Sequence, residues 1–156
     1  MIIRENSEGE YAGHGGRSHI GQAWETATEV SIFTRHGVER IMRFAFETAS
    51  KRPKKHITVV TKSNAQRNGM VLWDLVAKEV AAEFPDVKVE KMLVDAMTTR
   101  MVLKPESIDT IVATNLVSAA LFERERNQLT ENSMPIYFLI SLQRWRGLSA
   151  LRRRVI

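Results

Sequence analysis

His56-Ile57-Thr58-Val59-Val60-Thr61 is a nearly unbroken β-prone run, the pattern of a strand covered on both faces. Such a strand needs a layer on each side, and the sequence around it supplies candidates. Val38, Ile41, Met42, Ala45, Phe46 and Ala49 recur at i, i+3, i+4, i+7, i+8 and i+11, one apolar stripe of a helix. Thr34 is placed to cap that helix, and Lys51-Arg52-Pro53 to end it. A second helix is predicted over 69–84, with Leu72, Leu75, Val76 and Val80 on one side and Pro85 as its stop. Strands follow at 87–94 and 109–113, with a short helix over 95–103 between them and Pro105 as punctuation. A further strand is predicted over 26–33, whereas residues 5–19, with four glycines, read as loop, hairpin or extended arm. Trp24 and Trp73 read as packing residues. Strand and helix alternate from 56 to 116, which predicts an α/β fold with a partly parallel sheet.

A chain of 156 residues, 44% hydrophobic and 26% charged, has the makeup of a globular protein. The absence of cysteine excludes disulfide scaffolds, cysteine-bound zinc and thiol nucleophiles. Neither a membrane-length apolar run nor a secretory leader is read, so the expected location is the cytoplasm. The net charge of +5 is unevenly placed: residues 1–116 sum to +1 and residues 117–156 to +4, with arginine the sole cation of the second part. Two divisions are therefore expected, 1–116 and a basic, loosely ordered tail over 117–156. In that tail Ser118–Leu129 is weakly helical, Ile136–Leu142 is β-prone with no evident sheet to join, and Arg144–Arg154 is basic. Arg144-Trp145-Arg146 interleaves cations with an aromatic ring, as some nucleic-acid-binding segments do.

Open α/β sheets bind ligands at the carboxyl ends of their strands. Lys62 and Asn64, Asp95, and Asn115 each follow a predicted strand. Loops also begin there, so polar residues have an ordinary reason to be present. A second cluster runs from Arg4 to Tyr11: an arginine fork can read a carboxylate, and a phenol can donate a proton. A solvated polar loop is the competing reading. His14, His19, His36 and His56 lack ligand spacing and read as surface or satisfied side chains. Gly13-His14-Gly15-Gly16 is no phosphate loop, since no strand and helix start flank it.

Five segments occur together in one order and spacing: Ile3-Arg4-Glu5-Asn6-Ser7-Glu8-Gly9-Glu10-Tyr11, Phe33-Thr34-Arg35-His36-Gly37-Val38-Glu39-Arg40-Ile41, Thr61-Lys62-Ser63-Asn64-Ala65, Val94-Asp95-Ala96-Met97 and Val112-Ala113-Thr114-Asn115-Leu116. Residues 2–116 thereby resemble the metal-dependent β-decarboxylating dehydrogenases, and within them most closely the tartrate or D-malate branch. The resemblance implies the smaller central domain of an isopropylmalate dehydrogenase-like fold, incomplete here, with a protruding dimer arm formed by the Gly-rich stretch 10–19. It implies NAD and Mg²⁺ or Mn²⁺ as cofactors, a small 2-hydroxy acid as substrate and a homodimer. By position, Arg4 would bind the substrate carboxylate and Tyr11 would protonate the enol left by decarboxylation. Lys62 would help remove the hydroxyl proton and Asp95 would bind metal, both offered to the partner subunit, and Asn115 would lie near the cofactor.

The departures from that family carry their own expectation. No aspartate follows Asp109, so two further metal-binding aspartates are missing. The adenine loop is missing too, as are two substrate arginines that the family places upstream. The chain is accordingly expected to be a fragment or frameshift product with little activity by itself. A non-catalytic dimeric remnant or partner module is the alternative, and nucleic acid binding through the arginine tail ranks behind both.

Overall fold

The computed structural model describes residues 1–117 and the backbone of 139–142. The elements in chain order are β1 (Ile2–Glu5), β2 (Gly9–Ser18), β3 (Thr26–Ile32), α1 (Arg35–Ser50), β4 (His56–Thr61), α2 (Gly69–Ala81), β5 (Lys88–Leu93), α3 (Val94–Leu103), a 3₁₀ turn at Pro105–Ser107, β6 (Thr110–Ala113) and β7 (Leu139–Leu142). Five strands form one sheet in the order β5-β4-β6-β1-β7, parallel throughout. The remaining two, β2 and β3, pair antiparallel as a separate hairpin.

Alternation along the strands divides the core into two halves. Ile3, Ile57, Val59 and Val112 face α1 and α2, joining Val38, Met42, Phe46, Met70 and Trp73. Ile2, Val60, Ile111 and Ala113 face the other way, toward Met97 and Met101 of α3. The α/β class is as expected, and β4 is buried along nearly its whole length. Helix α1 begins where Thr34 was expected to cap it: its hydroxyl oxygen accepts from the Gly37 amide at 3.0 Å. The Thr34 amide and hydroxyl in turn donate to the two oxygens of Glu8, at 2.9 and 2.8 Å. A carboxylate at this end also suits the helix dipole.

Several expectations need correction. Trp24 is 63% exposed, not packed, because it lies on the hairpin connection where no core reaches; its ring meets only the edge of His19, centroids 6.4 Å apart. Trp73 is fully buried, as expected. The buried stripe of α2 is Met70, Trp73, Val76, Ala77 and Val80, so Leu75 faces outward: the period runs through Trp73, one position from the stripe read in sequence. Ile136–Leu142 was expected to find no sheet, yet Leu139–Leu142 pairs with β1, a strand that four residues were too few to reveal. The other tail expectations, Ser118–Leu129 and Arg144–Arg154 among them, fall outside the described residues.

Two ion pairs brace this frame. Glu5 is 1% exposed and accepts from Arg40 Nη2 at 3.1 Å on both oxygens, from the Ser7 amide at 2.7 Å and from the Ser7 hydroxyl at 2.5 Å. On the opposite face Arg100 Nη1 donates to Glu90 at 2.6 Å, and this bond holds the Glu90 carboxyl below its ordinary value.

Removing Arg40 leaves a buried carboxylate without its counter-charge. Arg40→Ala should lower unfolding stability by about 3 kcal/mol, read from denaturant midpoints, whereas a loss under about 1 kcal/mol would show that Ser7 alone satisfies Glu5. Because the folded-state value of Glu90 is depressed, its stabilisation is complete above the ordinary value of 4.5 and is lost as pH falls through the lowered one. Denaturation of the parent and Glu90→Gln should therefore differ at pH 6 and converge in acid.

Candidate functional site

Because every strand of the main sheet points the same way, the carboxyl ends of β1, β4, β5 and β6 lie along one edge. The sequence places Arg4, Lys62, Asp95 and Asn115 there.

Lys62, one residue past β4, and Asp95, in the first turn of α3, are brought into direct contact: Lys62 Nζ donates to Asp95 Oδ2. Adjacent strands cause this, since Thr61 and Leu93 are register partners and each side chain starts just beyond them. The pair is open to solvent, the lysine side chain 30% and the aspartate 71% exposed. Both groups can therefore reach outward without any rearrangement of the core.

Arg4 lies in register with Ala113 of β6, so β6 separates it from β4, a gap of about 10 Å at two strand spacings. Its Nε is buried and no described residue offers it an acceptor.

Asn115 is buried and its amide is engaged: Nδ2 donates to the Glu8 carbonyl at 2.7 Å and Oδ1 accepts from the Leu116 amide at 2.7 Å. Its visible work is to fasten the start of the arm to the end of β6. Tyr11 stands on β2, 59% exposed, and is brought to none of the other four. Of the five predicted residues, the structure joins Lys62 to Asp95, sets Arg4 along the same edge, buries Asn115 and leaves Tyr11 on the arm.

Sequence reading passed over the residues that position these groups. Glu5, Glu8 and Glu10 looked like a solvated polar run. Each instead has its own partner elsewhere in the fold: Arg40 for the buried Glu5, the start of α1 for Glu8 at the surface, and the Thr114 hydroxyl, which donates to Glu10 Oε1 at 3.0 Å. A usable signal was that Glu8 sits within a segment whose partner, Thr34, already read as a cap. Gly37 belongs to the same device, since a Cβ there would lie 2.2 Å from Glu8 Oε1.

Among the described residues no three His, Asp or Glu side chains converge, and Asp95 is a single carboxylate already paired with a cation. Mg²⁺ asks for near-octahedral oxygen coordination, so these residues do not by themselves fit a metal. Among the described residues no helix is long and apolar enough to cross a membrane.

A parallel sheet carrying a lysine–carboxylate pair at the carboxyl ends of two neighbouring strands, with an arginine at the end of a third, places the chain among α/β proteins with polar groups gathered at one sheet edge. The sequence model of isocitrate/isopropylmalate dehydrogenase matches residues 1–121, and the chain belongs to that family. It is 71% identical over 116 residues to a probable tartrate dehydrogenase/decarboxylase of Agrobacterium vitis, covering 74% of this chain and 32% of that protein. It is 43% identical over 115 residues to the decarboxylating D-malate dehydrogenase of Escherichia coli K12, with the same shares of each chain. Among solved structures, isocitrate dehydrogenase from Methylococcus capsulatus superposes with a TM-score of 0.74 at 34% identity, over 79% of this chain and 36% of that one. The chain thus spans about a third of the length of the curated relatives it matches.

Exposed ion pairs contribute little to stability. A double-mutant cycle on Lys62→Ala and Asp95→Ala should give a coupling of about 0.5 kcal/mol, and a coupling above about 2 kcal/mol would make the pair a structural brace.

Proposed function

We propose that this chain supplies one portion of a composite active site for oxidative decarboxylation of a small 2-hydroxy acid of the tartrate, D-malate or 3-isopropylmalate class, with NAD as oxidant. The observation that carries this reading is the placement of Arg4, Lys62 and Asp95 along one carboxyl edge of a parallel sheet, in a family whose matched relatives are named for that chemistry.

The chain's own residues take these parts. The Arg4 guanidinium, near the carboxyl end of β1, binds a substrate carboxylate. Lys62, once its ammonium has given up a proton to solvent and stands as the neutral amine, receives the hydroxyl proton at Nζ as the C2 hydride is transferred to NAD, and the resulting 2-oxo acid loses carbon dioxide. Tyr11 gives its phenolic proton to the carbon of the enol left behind. Asn115 keeps the end of β6 and the root of the arm together beside the cofactor. The Mg²⁺ or Mn²⁺ that the family resemblance implies would need ligands additional to Asp95. Lys62 and Asp95 face outward rather than toward Arg4, which supports their service to a second subunit. The hairpin supports the same assembly: Tyr11, Ile20, Trp24 and Val30 are all exposed on it, an apolar surface suited to burial against another copy. Among the described residues no full set of metal ligands converges, and on this reading the chain by itself turns over little.

Subunit complementation tests this. The probe is a full-length tartrate or D-malate relative whose own counterpart of Lys62 is changed to alanine. Mixing it with this chain should restore NADH formation in the presence of Mn²⁺. The Lys62→Ala form of this chain should restore none, and this chain alone should run at least about a thousandfold below an intact relative. Co-assembly without rescue would overturn the catalytic reading, failure to co-assemble would overturn the dimeric one, and full turnover by this chain alone would overturn the composite site.

A further inference from the structure

We propose that Leu139–Leu142 is a built-in edge cover: a segment from outside the family-matched stretch, which ends at residue 121, completes the sheet by closing the open side of β1.

The two borders of this sheet are constructed differently. At one border β5 presents Lys88, Lys91 and partly buried Glu90, charges of the kind that keep an edge strand from pairing with another chain. Its unpaired backbone groups are guarded by sequence. At the other border β1 reads Ile2-Ile3-Arg4-Glu5, and both isoleucines are buried. Its acidic group is turned inward to Arg40, and Arg4 is its one other charge. Without a neighbour the backbone groups of β1 that face away from β6 would be left without a strand to pair with. Such an edge is an acceptor for a further strand.

Leu139–Leu142 meets that need in register, Leu139 beside Ile2, Ile140 beside Ile3, Ser141 beside Arg4 and Leu142 beside Glu5. The pairing is parallel, which demands a crossover of a dozen or more residues, and 25 residues separate Ala113 from Leu139. The local composition suits it as well, since Ile136-Tyr137-Phe138-Leu139-Ile140 is rich in β-formers. The cover also bears on the proposed carboxylate reader, because Arg4 lies within the covered strand.

The experiment is hydrogen exchange by mass spectrometry on the full chain and on two single variants, Ile140→Pro and Ser141→Pro, since adjacent residues of a parallel strand bond alternately to its two sides and one of these two amides faces β1. Amides of residues 2–5 should exchange about tenfold faster or more in the variant that removes a ladder donor, while those of β4 stay protected. Unchanged protection of residues 2–5 in both variants would overturn the proposal. Should both variants lose protection throughout, cross-linking of the folded, otherwise unaltered chain decides, aided by its lack of cysteine. Arg4→Cys paired with Ser141→Cys should oxidise to an intramolecular disulfide in preference to Arg4→Cys paired with Leu139→Cys, which lies two residues out of register. Equal yields for the two pairs, or disulfides formed only between chains, would overturn it.

Discussion

Glu5 is the last residue of β1, and its carboxylate is carried into the interior at the point where the chain leaves the sheet. A buried carboxylate is costly unless paired and hydrogen-bonded, so it dictates what surrounds it. It fixes Arg40 on α1, folds Ser7 back by both its amide and its hydroxyl, and thereby turns the chain toward the arm. Glu8 repeats the device three residues further along: it accepts from the amide and hydroxyl of Thr34, whose hydroxyl caps α1. Glu10 closes it against Thr114. The three glutamates tie the sheet, the first helix and the hairpin into one frame, and Arg4 is aimed by its position between Ile3 and Glu5 in the tied strand. The charge that matters most to this fold is therefore negative and internal, though the chain is basic overall.

Much of the frame was legible in sequence where one physical signal acted alone. Helix α1 shows a clean apolar stripe with a hydroxyl cap, and strand β4 shows an unbroken β-branched run, so each could be placed closely. Reading failed where two signals competed. In α2 the leucines outnumber the aromatic positions, yet the large Trp73 ring takes the core and turns Leu75 to solvent. Trp24 is as apolar as Trp73, but a hairpin tip offers one chain nothing to pack on. Strand β1 is too short for any periodicity to show, and with it went the reason for β7. The glutamates were misread because burial of a charge depends on partners dozens of residues away, which local composition does not report.

The site was legible in a different way. Topology alone puts the residues that follow parallel strands on one edge, so Lys62, Asp95 and Asn115 could be expected there together, whereas Arg4 joins them only because β1, which sequence did not reveal, belongs to the same sheet. Which of them touch could not be read, since that depends on strand order: β5 neighbours β4, so Lys62 meets Asp95, and β6 intervenes before β1, so Arg4 meets neither. Asn115 shows the limit of the rule. It occupies a strand end and is spent on holding the Glu8 carbonyl.

This arrangement separates rigid support from exposed chemistry. Glu5, Glu8, Glu10, Thr114 and Asn115 tie neighbouring segments together through hydrogen bonds, whereas Asp95 and Tyr11 are largely exposed and Lys62 is half-buried against Asp95. An enzyme whose centre lay within this one chain would desolvate its reactive groups, because electrostatic interactions gain strength out of water. The Lys62–Asp95 pair is a mutual neutraliser at the sheet edge: each keeps the other's charge satisfied at little energetic cost. The composite site proposed above asks a second surface to close over this pair, which would supply the desolvation that the single chain does not.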